Sequence, residues 1–208
     1  MYTPPAYEER DRHKLHAWMR DWSFATLVTH GDQGLQATHL PFLLDPLRGS
    51  HGTLISHLAR RNPQAADIQA GAQAMVVFQG PHAFISPSWY RNRQTFPTWN
   101  YAAIHAHGQA AAIEDAQRIR AILTRTVQTY DTPLGGEWTF EAMPEDLIVP
   151  RLSAIIALEI PIARLEGKVK LNQDKSPEDR AGVLAALENR RDPGSRGVAR
   201  MMREALLA

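Results

Sequence analysis

The sequence predicts an α+β fold, with an antiparallel barrel at its centre and helices gathered at its ends. Three observations lead there. About six or seven short apolar, β-rich runs recur along the chain, most of them separated by turn clusters short enough for hairpins. Helical periodicity is concentrated near the two ends, with one crossover between strands. A length of 208 residues allows one sizeable core and barely allows two. The expected organisation is therefore one domain over residues 1–175, including an N-terminal helix, and a helical extension over 176–208 packed on it.

Each element has a local reason. Pro4 and Pro5 precede a helical pattern from about Glu8 to Trp22, with Leu15, Trp18, Met19 and Trp22 at helix spacing. FATLVTH, from Phe24 to His30, reads as a strand, and the turn cluster His30 to Gly34 leads into LQATHLPFLL as its hairpin partner. DPLRGSHG, Asp45 to Gly52, is a second turn and TLISHL a third strand. Asn62 and Pro63 supply an N-cap and first-turn proline for the short helix NPQAADIQAG, which Gly71 stops.

A buried strand, AMVVF, follows, then a loop dense in rings, then a long strand from about Asn100 to Ile113. Glu114 and Asp115 open an amphipathic helix through Tyr130, with Ile119, Ile122, Leu123 and Val127 inward. TPLGGEW is a surface loop and MPEDLIVPRL a short helix. AIIALEIPIARLEGKVKL predicts two final strands, divided around Glu166 and Gly167. Ser176 and Pro177 cap a helix to about Arg190, and Arg191 to Gly197 forms a hinge to a last short helix ending at Ala208.

Composition removes several function classes. Lysine plus arginine number 23 against 22 acids, so global charge offers no basis for wrapping nucleic acid or binding an anionic membrane. The chain has no cysteine, which excludes disulfides, thiolate catalysis and sulfur-ligated zinc. The N-terminus lacks an apolar signal region and no apolar run approaches a membrane span. Cytoplasmic residence without membrane attachment is the expectation.

Four groups of residues carry candidate chemistry. In SHLARRNPQ, a strand end, two arginines and a helix start converge: Ser56, His57, Arg60, Arg61 and Asn62 form a potential anion site, or a solvated basic turn. In ATHLPFLL, alternation places Thr38 and Leu40 on one face and His39 on the other, either to meet a ligand or to bond a neighbouring turn. The stretch from Val76 to Gly108 holds Trp89, Tyr90, Phe96, Trp99 and Tyr101, with Pro81, Pro87 and Pro97 excluding a helix. Rings on such a stiff segment suit a flat ligand, or else form an apolar plug. His105 and His107 share a strand face, as a metal pair or as ordinary half-buried histidines, and Ser86, His82 and Asp115 make a triad on paper without a nucleophile-elbow motif.

Taken in order, MYTPP, ATHLPFLL, GTLISHLARRNPQ, VVFQGPHAFISPSWY, PTWNYAAIHAHG and EIPIARLEGKVKLNQDKSPEDRAGV resemble the PaiB family nearly end to end. That family is described as FMN-binding negative transcriptional regulators, within the split-barrel flavoproteins related to pyridoxamine phosphate oxidase. The resemblance implies a six-stranded antiparallel split β-barrel with peripheral helices, and a homodimer with FMN at the subunit interface. It assigns the flavin phosphate to Ser56, His57, Arg60, Arg61 and Asn62, and the ring or ribityl chain to Thr38, His39 and Leu40. Trp99, Asn100, Lys170 and Gln173 would come from the partner subunit. One departure stands out: the family commonly carries KxKLSQN where this chain has KVKLNQDKS, placing Asn172 and Asp174 in that segment. A carboxylate there would oppose an anionic cofactor.

The resemblance implies an FMN-binding transcriptional repressor, although no helix-turn-helix pattern supports DNA contact; the nearest candidate is the arginine-rich tail from Arg190 to Arg203. The alternative is an FMN-dependent oxidoreductase using a nicotinamide donor, with the aromatic segment stacking a planar substrate. A third is haem handling through His105 or His107. No catalytic side chain and no protein-held metal are assigned, and enzymatic activity stays open.

Overall fold

The computed structural model describes residues 1–207. Nine strands occur among them: β1 (Glu8–Glu9), β2 (Phe24–Gly31), β3 (Gly34–Pro41), β4 (Leu43–Asp45), β5 (Thr53–Ala59), β6 (Gln73–Ile85), β7 (Thr98–Gln109), β8 (Ala111–Ile113) and β9 (Ile155–Lys170). Six helices accompany them: α1 (Arg12–Asp21), α2 (Gln64–Gln69), α3 (Ala116–Tyr130), α4 (Glu145–Ser153), α5 (Pro177–Glu188) and α6 (Pro193–Leu207). The strand order is β3-β2-β6-β7-β9-β5-β4, with β1 and β8 also paired to β9. The six long strands fall on runs the sequence leads one to expect, except that the two expected final strands are one, β9; the other three are pieces of two or three residues.

The chain divides into two compact units. One comprises residues 16–78 and 106–165, the other residues 1–15, 79–105 and 166–208. In the first, β2 and β3 form a hairpin with Leu27 opposite Thr38 and Gly31 opposite Gly34, so the turn is closed by Asp32 and Gln33. Gly34 adopts φ +83°, which a side chain would resist. The antiparallel register of β5 with β9 runs from Thr53 opposite Pro161 to Ala59 opposite Ile155. Leu27, Leu54, Ile68, Val76, Phe78, Ile156, Leu158 and Ile160 are fully buried here. Burying such side chains supplies most of the favourable folding energy, at about 1.5–3 kcal/mol each.

Beneath this core lies a polar knot. The Thr29 hydroxyl donates to Asp67 Oδ2 at 2.6 Å, and Gln64 Nε2 donates to Thr29 Oγ1 and to the carbonyls of Leu27 and Gln36. Gly31 makes room for it, since a Cβ there would sit 1.9 Å from an Asp67 carboxylate oxygen. The knot ties α2 to the β2–β3 hairpin. On the other side of the unit, Ile113, Ile119, Phe140, Ile148, Leu152 and Ala157 form a buried cluster with α3 and α4.

In the second unit, Ile85, Tyr90, Ala102, Ile104, Leu171, Val183, Leu187, Val198, Met201 and Met202 are buried together. Helix α5 starts on Ser176, whose Oγ accepts from the Asp179 N–H, and α6 starts on Asp192, whose Oδ1 accepts from the Ser195 N–H.

Several expectations shift. The N-terminal helix starts at Arg12, because Glu8 and Glu9 pair with Lys168 and Gly167. The expected strand LQATHLPFLL is interrupted at Phe42, whose N–H bonds the Ser23 carbonyl. β6 continues seven residues past the expected end of AMVVF, through Pro81 to Ile85, so the aromatic loop proper begins at Ser86. Gly167 does not divide β9: a Cβ there would meet Leu15 Cδ2 at 2.4 Å and the Glu9 carbonyl at 2.9 Å, so this glycine serves a close approach rather than a turn. The hinge before the last helix shrinks to Asn189–Asp192, and α6 begins at Pro193. Ala208, its expected end, lies outside the described residues.

Candidate functional site

In the first unit, the expected phosphate and ring residues gather around the end of β5. The Asn62 side chain bridges two elements, donating to Thr38 Oγ1 on β3 at 3.0 Å and accepting from the Gln64 N–H at 3.0 Å. Thr38 therefore acts as acceptor toward Asn62 and keeps its own O–H to donate. The second bond makes Asn62 the working cap of α2, although its six residues are too few for a strong N-terminal dipole. Leu40 is buried and His39 exposed, as strand alternation requires, with the His39 ring stacked 6.3 Å from Phe24.

Ser56 is buried, and its hydroxyl donates to the Pro41 carbonyl at 2.6 Å, bracing β3 against β5. The two arginines differ. Arg60 is engaged by Glu114 Oε2 at 3.1 Å and by the carbonyls of Ser153 and Ile155 at 3.2 Å, so its guanidinium fastens the strand end. Arg61 is exposed and has no hydrogen-bond or ion-pair partner among the described residues. His57 is half-buried, and burial holds its imidazole below the usual 6.5, favouring the neutral form.

The remaining expected residues lie in the second unit. Trp99 on β7 is 50% exposed and faces Phe84 edge-on at 6.2 Å, with the His82 ring at 5.6 Å. Its neighbour Asn100 points the other way, into the core. Asn100 Nδ2 donates to Asn172 Oδ1 at 2.5 Å, and Asn172 Nδ2 donates to the Tyr90 hydroxyl at 2.8 Å. This relay is buried throughout, with Asn100 Oδ1 lacking a partner. Lys170 Nζ bonds Thr98 Oγ1, while Gln173 clamps its own turn, donating to the Val169 carbonyl and accepting from the Leu171 N–H, both at 2.6 Å.

The departure at KVKLNQDKS also has a structural account. Asn172 stands at φ +63°, a left-handed conformation that asparagine tolerates better than most residues. Partial burial pushes the Asp174 carboxyl up, but Lys175, 2.9 Å away, and the Tyr7 hydroxyl outweigh this and leave it below the usual range. Its charge is thus locally compensated.

Sequence patterns singled out Thr38, Asn62 and the arginine pair, and the fold brings Thr38 and Asn62 into contact; they gave no sign of the Asn100–Asn172–Tyr90 relay, whose members are far apart in the chain. The paper triad has no support, since Asp115 caps α3 through the Arg118 N–H and Ser86 accepts from the Ser88 N–H. No helix among the described residues is long and apolar enough to cross a membrane.

A family model described as "Putative FMN-binding domain" matches residues 1–164. The Bacillus subtilis protease synthase and sporulation protein PAI 2 is 30% identical over 206 residues, covering 99% of this chain and 98% of the relative. The chain belongs to this FMN-binding, PaiB-type family. FMN is its cofactor. An uncharacterized protein of Aspergillus fumigatus is 31% identical over 253 residues, covering 98% of this chain and 97% of that one. Among solved structures, the flavocytochrome Anf3 of Azotobacter vinelandii matches at a TM-score of 0.63 and 15% identity, over 84% of this chain and 75% of the other. The FAD and heme binding protein of Mycobacterium smegmatis matches at 0.57 and 19%, over 84% and 79%. At such identities these structures establish the fold, which is that of the split-barrel flavoproteins.

Proposed function

We propose that this PaiB-type protein binds FMN as a homodimer and acts as a flavin-dependent negative regulator of transcription, with the flavin phosphate held at the end of β5. The observation that carries the flavin site is the unpartnered Arg61 guanidinium on the turn that follows half-buried His57, with a Thr38 hydroxyl, free to donate, bonded to Asn62 of the same turn. These donors fit a phosphate: a bidentate cation, a titratable imidazole and a neutral hydroxyl. Arg60, already bound to Glu114, positions the turn.

Dimerisation is supported by apolar surface that a lone chain leaves in water, including Phe24 at 69% and Leu35 at 76% exposure. In the dimer, Lys170, which bonds Thr98 Oγ1 within its own chain, would reach the flavin from the second copy. FMN supplies reversible redox chemistry when bound; the chain's own residues bind, orient and exclude water. The regulatory role draws on the arginines exposed along α6, Arg196 and Arg200, which suit phosphate contact.

The visible spectrum of the purified protein, followed by mass identification of released flavin, tests the cofactor. Titration with promoter DNA at several salt concentrations tests regulation, and affinity no better than bulk nonspecific binding would refute direct repression. The exposed ring pair of Trp99 and Phe84 supports a second reading, an FMN-dependent oxidoreductase that stacks a planar substrate. Anaerobic mixing with NADH or NADPH distinguishes it, since flavin bleaching favours the enzyme.

A further inference from the structure

Within the second unit, a cleft of about 670 Å³ opens between the far end of β6, the start of β7 and the N-terminus of α6. His82, Phe84 and Trp99 form one wall, and Arg190, Asp192 and Ser195 the other. None of the family's expected flavin contacts except Trp99 lies here.

Two glycines build it. A Cβ on Gly194 would lie 2.6 Å from the His82 carbonyl oxygen, and one on Gly197 would lie 2.6 Å from Pro81 Cβ. Only hydrogen at both positions lets the first turns of α6 rest directly on the β6 backbone. That contact brings the polar wall up against the aromatic one.

The polar wall is held in place. Arg190 Nε donates to Asp192 Oδ2 at 3.0 Å and to Ser195 Oγ at 2.9 Å, and Ser195 is buried. The guanidinium plane is thereby fixed through Nε, while both Nη groups lack a partner among the described residues. Asp192 is in turn consumed by Arg190 and by the Ser195 N–H at 2.8 Å, which leaves little of its charge to attract a cation. Opposite, the rings of Phe84 and Trp99 are about half exposed, at 48% and 50%. Fixed N–H donors and half-exposed rings lining one cleft of ligand size are complementary to a flat molecule with an anionic group at one end.

We infer that this cleft is a binding site for a planar aromatic anion of the arylcarboxylate class, its ring against Trp99 and Phe84 and its carboxylate on the Nη groups of Arg190. The occupant would be an effector or substrate distinct from the flavin held at the β5 turn.

The test uses the full chain and two probes of equal flatness, 2-naphthoate and 2-naphthylmethylammonium, measured by calorimetry with and without saturating FMN. The expected result is saturable naphthoate binding, roughly tenfold or more tighter than that of the cation, unchanged by FMN. Arg190→Gln and Trp99→Leu should each weaken naphthoate by about tenfold or more, whereas Arg191→Gln, next in sequence but outside the cleft, should not. Near-UV circular dichroism confirms that each variant is folded. Equal affinity for both probes, indifference to Arg190→Gln, or no saturable binding would overturn the assignment. Displacement of naphthoate by FMN would overturn it differently, making the cleft part of the flavin site. A chain that takes up no FMN still reports on the cleft through the FMN-free arm.

Discussion

Replacing Asn172 by alanine is expected to destabilise the second unit more than replacing it by glycine. Three contributions enter. Alanine at φ +63° carries a backbone cost of about 1–2 kcal/mol. Losing the amide strands the buried Tyr90 hydroxyl and the buried Asn100 amide, at about 1–3 kcal/mol each. The sum is about 3–8 kcal/mol, and partial relaxation places the expected loss near 4, a large share of the 5–15 kcal/mol typical of a domain. Glycine abolishes the same bonds but relieves the backbone, so Asn172→Gly should remain about 1 kcal/mol more stable than Asn172→Ala. Urea unfolding, followed in parallel by near-UV and far-UV circular dichroism, measures both losses. Equal midpoints for the two variants would refute the conformational argument. Midpoints indistinguishable from the native protein would refute the claim that the amide relay holds this core.

Other perturbations separate roles that look alike in sequence. Gly108→Ala would place a Cβ 2.3 Å from the Pro161 carbonyl, and the forced backbone shift should cost about 1–3 kcal/mol, seen as a fall of roughly 5 °C in Tm. Arg61→Gln should weaken FMN about 10- to 100-fold with little change in Tm, whereas Arg60→Gln should lower Tm while the residual affinity stays close to native. Asp192 is pulled from 3.8 to about 2, chiefly by the backbone and side chain of Ser195. Its contribution is therefore complete above 3.8 and lost as pH falls toward 2, so Asp192→Ala should be less acid-sensitive across that window than the native chain. His57, depressed by burial, contributes above its usual 6.5 and loses that contribution as pH falls. A phosphate beside it reverses the preference, so FMN binding near neutral pH should take up a proton, measurable by calorimetry in buffers of different ionisation enthalpy.

Much of the fold was legible because local patterns and tertiary needs agreed. Apolar, β-rich runs located the long strands, though they divide β9 in two, and Asn62, Asp115 and Ser176 announced helix starts that their side chains do cap. What escaped depended on partners distant in sequence. Nothing local says that Gly167 is an approach point for Glu9 rather than a turn, or that α6 will need Gly194 and Gly197 to lie on Pro81 and His82. The same holds for the site. Arg60 and Arg61 are equivalent in the sequence, and only the neighbours Glu114, Ser153 and Ile155 make one a strut and leave the other available. The resemblance implies that Asn100 and Gln173 reach the flavin from the partner subunit; within one chain their amides bond Asn172 and the turn from Val169 to Leu171, partners that no local pattern announces.

The interleaving of the two units bears on how the chain is made. The unit of residues 16–78 and 106–165 has all its segments once residue 165 has been synthesised, whereas its companion joins residues 1–15 and 79–105 to residues 166–208. During synthesis, β6 and β7 must therefore wait with one end folded and the other bare. Pro81, His82 and Trp89 stay without their helical neighbours until residues 166–208 emerge, on the order of a few seconds at ordinary translation rates. Truncations that remove α5 and α6 would freeze the chain in that state, with Pro81, His82 and Trp89 stripped of the helix turns at Gly182, Gly194 and Gly197 that rest on them.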